Sequence, residues 1–332
     1  MVAATTLVLL LAAPAVAAMP AHSFSSSYAA QLATLKAQHP ELREFNASAA
    51  KPRREFPCAP LNRSAERRAA SVHELMPQDI AAVGALGDSI TAGFGARASS
   101  LIDLVIESRG ASWSIGGDDD VSTIPNFFRV YNDQLGGFSL GNGNANRGFG
   151  DASISGAVAP GMLGQAQTLV SNMQSSMGPE SYSEDCESTA IPGTVWFPER
   201  SETVLLVFSG KLVTVWIGGN DICSRGTSAQ EYRDEIELAL DYLQVNMPKV
   251  FVNLVTMVDV GSLYDITGPD IGCLIVRPTV CSRGADRESS AQEAAEYQRG
   301  ITALAALPKY DAEEFTVVDQ PWCKYTRNPT TT

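Results

Sequence analysis

Residues 84–95 read GALGDSITAGFG: a run of small apolar residues stops at Gly87-Asp88-Ser89, and Gly and Ala follow at once. The run that ends there, Ile80 to Leu86, is nearly continuous rather than alternating, the pattern of a strand covered on both faces. Leu212 to Ile217, Val250 to Thr256 and Phe315 to Val318 share it. Between these runs, Tyr232, Ile236, Ala239, Leu240 and Leu243 recur with helical spacing, and Ala294, Tyr297, Ile301 and Leu304 do so again. Strands alternating with helices predict an α/β protein, a three-layer sandwich around a mainly parallel sheet. Ligands of such sheets gather at the carboxyl ends of strands. Ser89 follows the first run and Asn220 the second, so both are expected at that rim.

Hydrophobic residues make up 45% of the 332 residues and charged residues 18%, a balance that supports a sizeable core rather than a disordered chain. The 37 acidic against 24 basic side chains leave a formal charge of −13, which argues against nucleic acid and against adhesion to anionic membranes through a basic patch. The opening MVAATTLVLLLAAPAVAAMPAHS joins an apolar core to small residues, so residues 1–18 are expected to be a signal peptide, cleaved near Ala17 or Ala18. Later apolar runs are shorter than the roughly 20 residues a membrane span needs. A secreted or luminal protein without an anchor in this chain is the expectation.

Residues 19–55 mix Ala, Ser, charge and Pro and read as a leader, and 56–332 as one domain with no long linker. Cys58, Cys186, Cys223, Cys273, Cys281 and Cys323 suit an oxidising compartment, and the short separation makes Cys273–Cys281 the expected pair. With neither Cys-x-x-Cys nor a Cys/His cluster, no metal is expected. Asn46-Ala-Ser and Asn62-Arg-Ser are glycosylation sequons in that compartment. Residues 136–150, GGFSLGNGNANRGFG, are read as a loop.

Ser89 at the start of a helix would stand among backbone N–H groups that favour negative charge, which suits a serine attacking a carbonyl. The same triplet is an N-cap, where Ser and Asp are preferred, and taken alone it favours the cap. Gly156 in ASISGA (152–157) is a turn glycine or a point of close backbone approach. Asn220 in WIGGND (216–221) is a strand-end amide bonding its own backbone or a donor that does not titrate. Asp88 and Asp221 are read as supporting or turn-forming side chains and Trp113 as a packed aromatic beside the site.

Taken in order, GDSITAG, ASISGA and WIGGND resemble the GDSL or SGNH hydrolase superfamily. SVHELMPQDIAAVGALGDSITAG, SWSIGGDD, TIPNFF and KLVTVWIGGNDIC narrow the resemblance to its phospholipase B1-like branch, over roughly Cys58 to Trp322. The resemblance implies a flavodoxin-like sheet and hydrolysis of acyl esters of lipids or phospholipids through a serine acyl-enzyme. It implies Ser89 as nucleophile, Gly156 and Asn220 as oxyanion-hole donors with the Ser89 N–H, and no cofactor. The partner expected is a lipid or acyl-ester substrate, met through transient contact with a membrane or micelle surface.

Two features depart from the family pattern. The family's base is a His three residues after an Asp beyond the last strand, and here FTVVDQPWCKYTRNPTTT contains none. The histidines are His22, His39 and His73, all before Ser89, and none has an Asp three residues earlier. An extra apolar run also lies within 186–210, read as retained intron sequence or as a natural insertion loop. The expectation is a secreted carboxylic-ester hydrolase domain of phospholipase B or lysophospholipase type, incomplete at its C-terminal side and nearly inactive in this chain, with a non-catalytic lipid- or partner-binding relative as the alternative.

Overall fold

The run that ends in Gly87 forms β1, Ile80–Gly87, and every residue of it but Ala81 is buried. The other three runs form β2 (Gly210–Trp216), β3 (Val250–Val255) and β4 (Phe315–Gln320). All pair in parallel in the order β1-β2-β3-β4, with Gly87 opposite Trp216, Val215 opposite Leu254 and Leu254 opposite Asp319. The computed structural model describes residues 69–99, 103, 106–144, 147–177, 210–224, 226–262, 281 and 286–321. The expected signal peptide and leader, the sequons, Cys58, Cys186, Cys273, Cys323 and residues 186–209 of the extra segment lie outside these residues.

Among the described residues five α-helices follow in chain order: α1 (Ile124–Phe128), α2 (Met162–Met177), α3 (Gly219–Ser224), α4 (Ala229–Asn246) and α5 (Arg287–Ala305). The Ser228 side chain caps α4 by accepting the Glu231 N–H, and Asp286 caps α5 by accepting the Ser289 N–H. The helical spacing seen in the sequence is the buried stripe of each: Tyr232, Ile236, Ala239, Leu240 and Leu243 on α4, Ala294, Tyr297, Ile301 and Leu304 on α5. Each large side chain so buried stabilises the fold by about 1.5–3 kcal/mol. α2, which the sequence reading did not single out, packs on β1. A Cβ on Gly84 would lie 3.0 Å from the Met173 Cε, so a strand without side chain at that point brings the helix close.

α2, α4 and α5 share one core with Ala82, Leu86, Val213, Val215, Val252, Leu254 and Val317 of the sheet. A second core holds the alternate residues Val83, Ala85 and Leu212 against Ile115, Leu135 and, from α1, Ile124 and Phe128. Together these are the three expected layers. The Gly-rich 136–150 stretch is irregular as expected, but it also runs beside the free edge of β1. Val83 N–H donates to Gly136 O at 3.0 Å and Ala85 N–H to Gly150 O at 2.9 Å, while Ala152 N–H donates to Ala85 O at 3.0 Å. That is the place a neighbouring strand takes in a flavodoxin-like sheet.

Two expectations are corrected. Cys281 bonds to Cys223, not to Cys273. The bond ties α3 to the segment before α5, and spacing along the chain could not show it because the crossover through β3 sets which loops meet. Nor does a helix start at Ser89. Residues 89–93 run through turns in which Gly93 N–H bonds Ile90 O and Phe94 N–H bonds Ser89 O. Gly93 and Gly95, at φ 72° and 68°, leave the right-handed helical region.

Candidate active site

Ser89 is half-buried and stands two residues past the end of β1. The strand stops there for a steric reason. A Cβ on Gly87 would fall 2.2 Å from Thr91 Oγ1 and 2.5 Å from Trp216 O, so only glycine lets the chain fold back at that point. Its peptide groups are held from α2 by buried Gln165, whose Oε1 accepts the Gly87 N–H at 2.8 Å and whose Nε2 donates to Gly87 O at 2.9 Å. Asp88 turns inward and accepts the Ile90 N–H at 2.9 Å. With Ser89 the chain comes back to the surface, and Ile90 is 41% exposed.

Gly156 lies in a turn closed by Ala157 N–H to Ile154 O at 3.0 Å, with φ 81° at Gly156. A glycine with positive φ at the third position is the type II pattern. A Cβ there would meet nothing within 4 Å, so the conformation, not crowding, asks for glycine. Among the described residues no acceptor meets the Gly156 N–H. The turn is fastened to β1 by Ile154 N–H, which donates to Gly87 O at 3.1 Å.

Asn220 is the second residue of α3, after β2, and its Nδ2 donates to Ala157 O at 2.8 Å. An amide carries two N–H donors, and this bond engages one. The next residue repeats the attachment from the acceptor side. Buried Asp221 receives the Ala159 N–H on both oxygens, at 3.0 and 3.2 Å. Gly87-Asp88-Ser89, Ile154 to Ala157 and Gly219-Asn220-Asp221 are thus linked by direct hydrogen bonds at the carboxyl rim. Tyr232 supports the last of them from below, its hydroxyl donating to Ile217 O at 2.8 Å while its ring stacks on Tyr297 at 3.9 Å.

Burial governs the two carboxyl groups. It raises Asp88 from 3.8 to about 6, the Ile90 N–H opposing and Asp221 adding to the shift. It raises Asp221 as well, against hydrogen bonds from Thr227 and Ala159. Both carboxyl groups act as acceptors that fix backbone, in keeping with their supporting role. Trp113 meets Trp216 edge-on at 5.4 Å, a packed aromatic beside the strand end. A cavity of about 240 Å³ is lined by Trp113, Ile124, Thr214, Asn253, Val255 and Gln320, and Ser89 is not among its walls.

His73 lies away from the Ser89 rim. Val72 N–H bonds Glu313 O at 2.7 Å, and the His73 Nε2 lies 3.1 Å from Ala312 O and 3.5 Å from Asp311 Oδ1, all just before β4 begins. His73 therefore sits at the amino ends of the strands and Ser89 past the carboxyl ends, with the eight residues of β1, about 25 Å of strand, between those ends. His22 and His39 lie outside the described residues. Among the described residues no group of three or more His, Cys, Asp or Glu side chains is arranged to hold a metal, and no helix is long and apolar enough to cross a membrane.

Residues 83–331 match the GDSL-like Lipase/Acylhydrolase family. The chain belongs to that family. Within it, the chain falls with phospholipase B1 proteins. It is 35% identical over 289 residues to mouse "Phospholipase B1, membrane-associated", covering 80% of this chain and 18% of that protein. The rat protein of that name is 34% identical over 273 residues, covering 76% of this chain, and the human one 33%, covering 78%. Each alignment takes in 17% of the rat or human relative, so the chain spans about a fifth of the length of the curated relatives it matches. The GDSL motif itself is Gly87-Asp88-Ser89-Ile90 here. Gln165, which holds the Gly87 peptide groups, has no signature in the sequence that separates it from surface polar residues.

Proposed function

We propose that residues 56–332 form a secreted carboxylic-ester hydrolase domain acting on acyl esters of lipids or phospholipids, with Ser89 as nucleophile. The Ser89 Oγ adds to the ester carbonyl. The Ser89 N–H, the Gly156 N–H and the second Asn220 Nδ2 hydrogen then receive the oxyanion. Collapse breaks the ester C–O bond, the serine proton leaves on the alcohol, and water returns the acyl group as acid and the proton to Ser89. Each donor of such a hole contributes about 3–4 kcal/mol to the transition state. This chemistry asks for no metal or organic cofactor. The observation that carries the reading is the pair of bonds Ile154 to Gly87 O and Asn220 to Ala157 O, which gather three distant segments at one rim. The names of the phospholipase B1 relatives support the lipid substrate, and the apolar opening of the sequence supports secretion.

A serine hydroxyl needs a base within hydrogen-bond reach. The position of His73 favours a second reading, in which the 332 residues bind an acyl chain at the same rim without turnover. A fluorophosphonate probe separates the two. Labelling at Ser89 that disappears in Ser89→Ala supports the hydrolase. An unlabelled serine in a chain that still binds lysophosphatidylcholine micelles overturns it in favour of the second.

A further inference from the structure

We infer that Glu107, Arg109 and Asp151 are positioning residues that lock the Gly156 turn to the nucleophile's segment; the inference rests on reading Gly156 as an oxyanion donor. Arg109 is 2% exposed and Asp151 fully buried. Its Nη1 donates to Asp151 Oδ2 at 2.8 Å and to Ser153 Oγ at 2.9 Å. Its Nε and Nη2 both donate to Glu107 Oε2, at 3.1 and 2.8 Å. Burial presses this guanidinium toward its neutral form, and the Asp151 and Glu107 carboxylates outweigh that, so its pKa is raised. A buried ion pair gives little net stability over packed apolar side chains, because desolvation offsets the attraction. What the planar fork of an arginine does supply is fixed direction.

Every acceptor in the cluster also holds the chain that leads to Gly156. Asp151 Oδ1 accepts the Ser153 N–H at 3.1 Å and the Ser153 hydroxyl at 2.6 Å. Asp151 Oδ2 accepts the Ser139 hydroxyl at 2.9 Å. Glu107 Oε1 accepts the hydroxyl of Ser155, the residue before Gly156. Arg147 adds a donor to Ser153 O. On the other side, the backbone around Glu107 is paired with the segment after the nucleophile. Gly95 N–H bonds Ile106 O and Ser108 N–H bonds Gly93 O, and Phe94 N–H bonds Ser89 O. Glu107 thus stands opposite Phe94 of the Ser89 segment, held there by the peptide groups on either side of it, while its own carbonyl accepts the Gly143 N–H and its side chain holds the Gly156 segment. A change at this carboxylate alters the angle between nucleophile and donor without touching either.

The test uses the whole chain with Glu107→Gln, Ser155→Ala and Ser155→Thr. Two readouts are taken: hydrogen exchange at the Ile154 and Ala157 amides, and the second-order rate of fluorophosphonate labelling at Ser89. Glu107→Gln and Ser155→Ala are expected to speed exchange at both amides about tenfold and to slow labelling about tenfold, with the urea midpoint and exchange in α4 and α5 unchanged. Ser155→Thr, which keeps the hydroxyl, is expected to restore both. Unchanged exchange at Ile154 and Ala157 overturns the inference. So does a rise shared equally with α4 and α5, because that is loss of the whole fold. If the unaltered chain does not label, the hydrolase reading fails on that arm and exchange alone decides this one.

Discussion

Replacing Asp88 by Asn should make the protein more stable at neutral pH, although the residue lies in the motif that names the family. The carboxyl group is 3% exposed and its pKa stands at about 6 instead of 3.8, first because of burial. A raised pKa means that the folded protein holds this proton more tightly than the unfolded chain. Between pH 3.8 and about 6 the native state therefore binds more protons, and stability falls as pH rises through that window. Above it the whole amount is missing. At ~1.4 kcal/mol per unit, the shift corresponds to about 3 kcal/mol. Asparagine behaves as a permanently protonated Asp88 and keeps an oxygen for the Ile90 N–H. Urea unfolding followed by tryptophan fluorescence at pH 3.5, 5, 6.5 and 8 measures the difference. The two proteins should coincide at pH 3.5 and diverge to about 3 kcal/mol in favour of Asp88→Asn at pH 8. A variant less stable at pH 8, or a difference that stays constant with pH, would refute the claim that a buried charge is held there at a cost.

Asn220→Ala removes the Nδ2 donor to Ala157 O, so stability should fall by about 1 kcal/mol. If the side chain also serves the oxyanion, Ser89 labelling should slow about 100-fold, and unchanged labelling removes it from the site. His73→Ala should leave the labelling rate at Ser89 unaltered, since the ring bonds Ala312 O at the far end of the sheet; a rate that collapses would restore His73 as the base. Opening the Cys223–Cys281 bond releases a loop of 58 residues, for which chain entropy gives about 4 kcal/mol. Urea midpoints with and without reductant check this, and equal midpoints contradict it.

What the sequence disclosed and what it hid differ for a physical reason. Strands buried on both faces appear as unbroken apolar runs, and Ile80 to Leu86, Leu212 to Ile217 and Val250 to Thr256 match β1, β2 and β3 to within two residues at each end. Helices with one buried stripe appear as spacing, which served for α4 and α5. α2 escaped because Gln165 and the small Ala166 take places in its buried face and weaken the apolar stripe. The motif segments were legible as words because each falls directly after a strand or beside one. The contacts that aim them were not.

Those contacts share one construction. Gln165 to Gly87, Asp88 to Ile90, Asn220 to Ala157 and Asp221 to Ala159 are all bonds from a polar side chain to backbone. Gln165, Asp88 and Asp221 are at most 3% exposed. Composition rules send such residues to the surface, because burying them unpaired is costly. Here each gives a hydrogen-bond partner to a peptide group at the end of β1 or in the turns beyond it, outside the run of the sheet ladder. A polar side chain that bonds backbone at the carboxyl rim of a buried sheet is therefore a different object from the same residue in a loop. It also marks the carboxyl rim of this sheet, and Arg109, 42 residues from Asp151, shows the limit of such reading: a partner so distant along the chain is fixed by the fold, which no local pattern records.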